Sequence, residues 1–271
     1  MLCAMRSACF ALFLALPLAA QWIHLPTQGV PRKTDGSPNL EATTPKMADG
    51  KPDFSGMWVA HDVVPCNPEK DALRCGGFRL TPQLNDIAAG LKDGLPYQPW
   101  AAELVKRRKK EDGVNDPHPH CMPPNFPRAW SFPENQKILQ TSGFLVVLHE
   151  FNASYRQIFF DGRTFPEDMN PAWSGYSVGH WERDTLVIES KGFRDDEWLD
   201  SKGNPLTDAA TVTERIRRPN FGSLEIEVTV NDPKAYTKPW TVTLHEQIVL
   251  DTELLDFMCM ENEKDMAHMV R

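Results

Sequence analysis

The chain reads as all-β: an antiparallel β-barrel with one or two short helices and long proline-rich loops. Three observations predict this. From residue 137 onward, short runs of β-branched and aromatic residues recur, separated by turn-formers such as "TSG", "FNAS", "FDGR" and "NFG". Several runs alternate apolar and polar side chains with the period of a half-buried strand. Only about residues 81–112 have helical texture, too little for a doubly wound α/β sheet. Eight or more strands in sequence order favour a barrel, because closure removes exposed edges; a two-sheet sandwich is the alternative.

In chain order, residues 1–20, MLCAMRSACFALFLALPLAA, have the pattern of an export signal: Arg6, a mostly apolar stretch from Ala8 to Leu18, then small residues. A secreted or periplasmic location is expected. No later segment approaches the roughly 18 apolar residues of a membrane helix, so no integral span is expected. Residues 21–50 read as an extended arm, and 51–271 as a single barrel domain. "DFSGMWVAHD" is the first core strand, with Phe54, Gly56 and Trp58 at strand spacing. Thr81 and Pro82 open a first helix as N-cap and first helical residue. "PWAAELVKRRKKEDG" supplies a second, with Trp100 and Leu104, joined by Val105, on its covered side. "GVNDPHPHCMPPNFPRAW" has too many prolines for a regular element, and a loop of that length covers a core edge or shapes a site.

The remaining strands are "KILQT", "FLVVLHEF", "YRQIFF", "GYSVGHW", "TLVIES", "ATVTERIRR", "SLEIEVTV", "TVTLHEQIVL" and "LLDFMCME". In "SLEIEVTV", Leu224, Ile226, Val228 and Val230 share the core face; in "WTVTLHEQI", Trp240, Val242 and Leu244 do. The segment Asn170–Glu189, "NPAWSGYSVGHWERDTLVIE", makes a hairpin turning at Glu182-Arg183-Asp184-Thr185. Pairing outward from that turn sets Trp181 opposite Leu186, His180 opposite Val187, Gly179 opposite Ile188 and Val178 opposite Glu189. Trp181, Leu186, Ile188, Gly179 and Ser177 form the better core face. Tyr176, Val178, His180, Val187 and Glu189 form a mixed face that would suit either a pocket wall or an outer surface.

His180 and Glu189 on that face are candidates for an acid–base pair, with Asp161 and His149 as further acid–base candidates. Trp173 and Tyr176 are candidate ligand contacts, and Arg128 and Arg163 candidate anion partners. His118 and His120 flank Pro119, and His149 and His245 fall in strands, so imidazole metal ligation is a question the chain raises. The proline and Cys121 argue against convergence there, and "HEFNA" and "HEQIV" lack the second histidine of a zinc-protease helix. No metal site is therefore expected. Neither a phosphate loop nor a dinucleotide fingerprint occurs, and no cofactor is expected.

Cleavage of the leader would leave four cysteines, Cys66, Cys75, Cys121 and Cys259, with three possible pairings. Cys66–Cys75 with Cys121–Cys259 is favoured; four reduced cysteines are the alternative. The formal charge of −8 becomes −9 when Arg6 is removed, which disfavours nucleic acid as a partner. The run KRRKK at 106–110 is followed by Glu111 and Asp112 and reads as a solvated helix end. Oligomeric state is left open.

The combination of Asp49-Gly50-Lys51-Pro52-Asp53 through Trp58, Cys121-Met122-Pro123 through Arg128, Asp161-Gly162-Arg163, Ser174 through Glu189 and Thr213 through Arg218 resembles an uncharacterised family of exported bacterial proteins. That family carries DGKPDxSGxW, CxPxxxPR, DGR, SGYSVGxWExDTLVxE and TERxRR motifs, and the resemblance spans roughly 48–265. It implies no particular reaction. The family hairpin has glycine where this chain has Arg183, which implies a less relaxed turn here. At fold level, Gly56-x-Trp58 on a first strand and an arginine-bearing late strand resemble lipocalin-type barrels. That resemblance implies a lipocalin-like meander holding a small amphipathic or organic molecule.

Three functions follow from these features. A small-ligand-binding barrel predicts a central cavity of several hundred Å³. A pocketed hydrolase, lyase or isomerase predicts converging acid–base groups with strongly shifted protonation, with or without a metal. A structural or envelope-associated interaction protein predicts a filled barrel and an exposed apolar patch.

Overall fold

The computed structural model describes residues 25–61, 81–259 and 261. The expected leader and the Cys66–Cys75 pairing lie outside these residues. Nine strands close into a barrel in the order β1-β11-β10-β9-β6-β5-β4-β3-β2. They are β1 (Gly56–Ala60), β2 (Gln136–Gln140), β3 (Phe144–His149), β4 (Ser154–Phe159), β5 (Tyr176–Glu182), β6 (Thr185–Lys191), β9 (Thr211–Asn220), β10 (Ser223–Asn231) and β11 (Trp240–Val249). A small hairpin, β7 (Glu197–Trp198) with β8 (Pro205–Leu206), stands apart. The short first strand closes the barrel: Trp58 pairs with Ile248 of β11 on one side and Gln136 of β2 on the other. With both of its flanks used, the barrel has no edge for another strand. The expected strand "LLDFMCME" is accordingly absent, and its one ladder contact is an isolated bridge between Phe257 and Phe151. Cys121–Cys259 is formed and ties this C-terminal segment to the proline-rich loop.

The meander is interrupted once. β4 and β5 pair in parallel, Ile158 with Ser177 and Phe159 with Val178. The intervening "FDGRTFPEDMNPAWSG" is far longer than a hairpin loop and carries the chain back to start β5 in the same direction as β4. Elsewhere the period-two pattern holds: Leu224, Ile226, Val228 and Val230, and Trp240, Val242 and Leu244, are all buried. The arm is integral to the barrel wall. Phe221 and Gly222 donate backbone hydrogen bonds to Ala42 and Leu40. A Cβ at Gly222 would lie 2.6 Å from that of Leu40, so the close approach needs glycine.

The hairpin register is the one the turn placement predicts, from Glu182↔Thr185 through Val178↔Glu189. Ser177, Leu186 and Ile188 are buried on the inner face, and Trp181 packs on Phe54 with ring centroids 5.5 Å apart. Gly179 makes room rather than a bend: its Cβ would sit 3.0 Å from the Val187 carbonyl oxygen. Arg183 adopts a left-handed φ of 57°, where an L-residue with a β-carbon is disfavoured by about 1–2 kcal/mol. Arg183→Gly is therefore expected to stabilise the protein by about 0.5–1 kcal/mol after the extra glycine entropy is subtracted. Urea titration checks this, and a destabilised variant would show that the Lys51 ammonium on the Arg183 carbonyl (3.1 Å) depends on the arginine backbone.

Two helices sit outside the barrel, α1 (Pro82–Asn85) and α2 (Pro99–Lys110). The first is one turn long, with Pro82 at its start; Thr81 makes no cap but donates its hydroxyl to Ser131. In α2, Ala101, Val105 and Arg108 face inward, whereas Trp100 is 48% exposed and donates its indole N–H to the Lys234 carbonyl. Of the expected covered face Val105 is buried, whereas Trp100 is exposed and Ala101 and Arg108 complete the inner side instead. Arg108 turns in to pair with Asp196 and to stack 4.3 Å from the Trp198 ring. The rest of KRRKK is exposed at the helix C-terminus, where the dipole favours cations.

Candidate ligand-binding site

The lumen is occupied by the protein itself. Residues 124–132 of the proline-rich loop are all buried, and Arg128–Ser131 form a single 3-10 turn. Trp130 donates its indole N–H to Glu214 Oε1 at 2.6 Å, and Phe126 lies 4.8 Å beneath the Arg156 guanidinium. Arg156 in turn pairs with Glu214, bonding Oε1 at 3.0 Å, and donates to Ser177 (3.1 Å) and Ser190 (2.8 Å). Arg156 is 2% exposed and Glu214 is fully buried. Neither stood out as a buried pair in the sequence. The signal was present, since Glu214 shares its strand phase with Val212 and Ile216, and Arg156 with Ile158. Along this part of the barrel interior the inserted aromatics cover the Arg156–Glu214 ion pair.

A second polar set lies on the inner face of β2, β3 and β11. Gln136 is the register partner of His149 and donates its amide to Glu246 at 3.1 Å. All three are essentially buried. His149 Nδ1 accepts the Phe151 N–H at 3.2 Å, which puts the ring proton on Nε2. Burial, reinforced by nearby His118, lowers His149 to about 4, against the Ala129 carbonyl that raises it. Burial also raises Glu246 well above the carboxylate range, opposed only by the Gln136 bond. Burial thus disfavours the charged form of both His149 and Glu246, and Gln136 hydrogen-bonds the glutamate. None of the three clefts described below is lined by these side chains.

The hairpin candidates point outward. His180 is exposed and meets Glu182 at 3.4 Å, while Glu189 pairs with Lys191 at 2.8 Å. The acid–base pair expected of His180 and Glu189 is not formed, because both strands turn that face away from the lumen. Arg128 is not free for an anion either: it is buried in a two-pronged pair with Asp116, both bonds 2.6 Å. Asp161 and Arg163 also satisfy one another, in an exposed pair at 2.6 Å. Arg163 lies 3.9 Å over the Phe159 ring, which stacks on Tyr176 at 5.5 Å. Three of the named residues, Asp161, Arg163 and Tyr176, therefore gather on an outer surface. Trp173 stands apart from them under Arg194.

The histidines do not converge on a metal. His118 packs between the Phe132 and Phe151 rings, at 4.3 and 4.1 Å, while His120 Nε2 contacts the Val114 carbonyl. Among the described residues no group of three or more His, Cys, Asp or Glu is placed to hold a metal ion.

Three clefts open at the surface. One, of about 180 Å³, lies beside His61, His245 and Trp130. Another, of about 520 Å³, lies between α2 and Asp195–Asp196. The largest of the three, about 570 Å³, lies at the end of the barrel where β1 begins and β11 finishes. Its walls are Leu25–Gly29 of the arm, Met57, Phe221 and Ile248–Val249, and its cations are Lys137 and Arg218. The arm wall is pinned by a reciprocal pair: Thr27 N–H to Asp251 Oδ1 (2.9 Å) and Asp251 N–H to Thr27 Oγ1 (2.7 Å). Arg218 lies 4.8 Å over Trp58 and 5.2 Å from the Phe221 ring. This is the meeting of the first-strand tryptophan with the late-strand arginine.

These features define a closed, arm-wrapped β-barrel with a buried aromatic and ion-pair cluster inside it and, among the described residues, an amphipathic cleft at one end. No protein-family model and no curated protein matches the chain. Among solved structures it is similar to one described as "REP1-NXSQ fatty acid transporter", at 10% identity over 73% of this chain and 96% of that one. The TM-score is 0.31, a likeness that carries no argument about fold or function. No helix among the described residues is long and apolar enough to cross a membrane.

Proposed function

We propose that this is an exported barrel that binds a small amphipathic organic molecule, in the cleft between the arm and strands β1 and β11. The observation that carries the reading is the lining of that 570 Å³ cleft, apolar along Met57, Phe221 and Ile248 with a few charged groups, Lys137 paired to Glu253 and Arg218 near Asp53. Its volume falls in the range of roughly 300–1,000 Å³ that ligand sites occupy, and a few polar groups on an apolar wall are their usual chemistry. The enzyme reading has less to carry it: the shifted groups His149, Glu246 and Glu197 are buried, and none of them lines the three clefts described.

Binding is tested by titrating a fluorescent amphiphile into the full chain and into Val249→Trp, which places an indole in the cleft. Saturable one-to-one binding is expected, weakened at least about tenfold in the variant. Absence of saturable binding, or equal binding by both proteins, would overturn the assignment.

A further inference from the structure

The floor of this cleft holds a buried cation that no carboxylate among the described residues hydrogen-bonds; Asp53 reaches it only through its field. Arg218 is 5% exposed, and every acceptor it uses is a backbone carbonyl: Phe221 from Nε (3.2 Å) and Nη2, and Asp53 and Ser55 from Nη1. These bonds engage four of the five guanidinium N–H groups and leave one on Nη2. Of the two carboxylates that line the cleft, Glu253 is neutralised by Lys137. Asp53 takes the Ser55 N–H at 2.8 Å and acts on Arg218 through its charge, without a hydrogen bond. Arg218 differs in this from the other buried arginines: Arg108, Arg128 and Arg156 each have a carboxylate partner.

Resting on the ligand-binding reading above, we infer that the cleft selects an amphiphile with an anionic head, carboxylate or phosphate. The head sits at Arg218, and the tail lies along Met57, Phe221 and Ile248. Carbonyl dipoles and the Trp58 and Phe221 rings hold the guanidinium in place with one N–H left over, so an anionic head gains a charge-assisted hydrogen bond that Asp53 does not make, in a poorly solvated site. The same arrangement discriminates against a neutral head, which gains the hydrogen bond without the charge. It also discriminates against a free small anion, which leaves the apolar wall uncovered. In a chain of net charge −8, such a local cation is what concentrates an anion against the overall field.

The test compares decanoate, decyl phosphate and decanol, each below its micelle-forming concentration, with acetate and inorganic phosphate. All are titrated calorimetrically into the full chain at pH 8. Decanoate and decyl phosphate are expected to bind at least about tenfold more tightly than decanol, with acetate and inorganic phosphate weaker still. Raising NaCl should weaken the two anionic amphiphiles and not decanol. Val249→Glu, which adds a competing carboxylate while leaving Arg218 in place, should lower decanoate affinity about tenfold and change decanol less than about threefold. If decanol equals decanoate, the charge selectivity is wrong and the cleft assignment survives. If acetate or inorganic phosphate equals decanoate, the tail has no role and the amphiphile class is wrong. If none of the five binds, both readings fall. Should Val249→Glu fail to fold, the salt dependence alone decides between charge and apolar recognition.

Discussion

Glu214→Leu is expected to lower the stability of the protein by about 3–5 kcal/mol, the range for breaking a buried ion pair from one side. The substitution strands the Arg156 guanidinium in the lumen and removes the acceptor of the Trp130 indole, which holds the inserted loop. Ser177 and Ser190 still receive Arg156 hydrogen bonds, but hydroxyl groups do not balance the charge. The double variant Arg156→Met with Glu214→Leu should regain most of the loss, because paired burial costs desolvation on both partners and apolar groups of similar volume do not. Urea titration of the two proteins measures both values. A single substitution costing less than about 1 kcal/mol would mean that solvent reaches the lumen.

Glu197→Gln is expected to stabilise the protein on the alkaline side. The Glu197 side chain is buried on β7, and neither of its carboxylate oxygens has a geometric hydrogen-bond partner. The neighbouring Asn125 amide donates instead to the Trp198 carbonyl at 2.8 Å. Burial pushes the group up to about 9, over the opposing influence of Asn125 and Arg194. A carboxyl raised in this way favours folding fully below its unfolded value near 4.5, and that contribution is lost as pH climbs through 9. Wild-type and variant should therefore converge near pH 4 and separate above it, by on the order of 3 kcal/mol at pH 8. Equal stability of the two proteins at pH 8 would show that Glu197 ionises without cost. His118 and His149 act in the opposite sense. Both are lowered to about 4, chiefly by burial, so their contribution is present above 6.5 and lost as pH falls through 4.

Much of the barrel was legible because it rests on local rules. Placing one turn at Glu182–Thr185 determined the register of a whole hairpin, since in a strand a one-residue slip would turn every side chain over. The Cys121–Cys259 bond was one of three pairings that four cysteines allow, the one favoured together with a short Cys66–Cys75 loop. The candidate site was far less legible. Its arm wall, its β1 and β11 edge and Arg218 come from segments up to about 220 residues apart. The residues that drew attention by their chemistry, His180 and Glu189, lie on the solvent side.

What the amino-acid sequence determined by itself was the alternation that makes each strand two-faced, the turns between the strands, and the glycine and proline positions that no other residue fills. What only the tertiary structure decided was which face looks inward on a pocket and which charges lose their water. Arg156 meets Glu214 across 58 residues of chain, and Trp130 meets it across 84. Arg218 ends without any such partner. Strand periodicity is a property of neighbouring backbone units, whereas the burial and pairing of a charge depend on groups that only chain closure brings within a few ångströms.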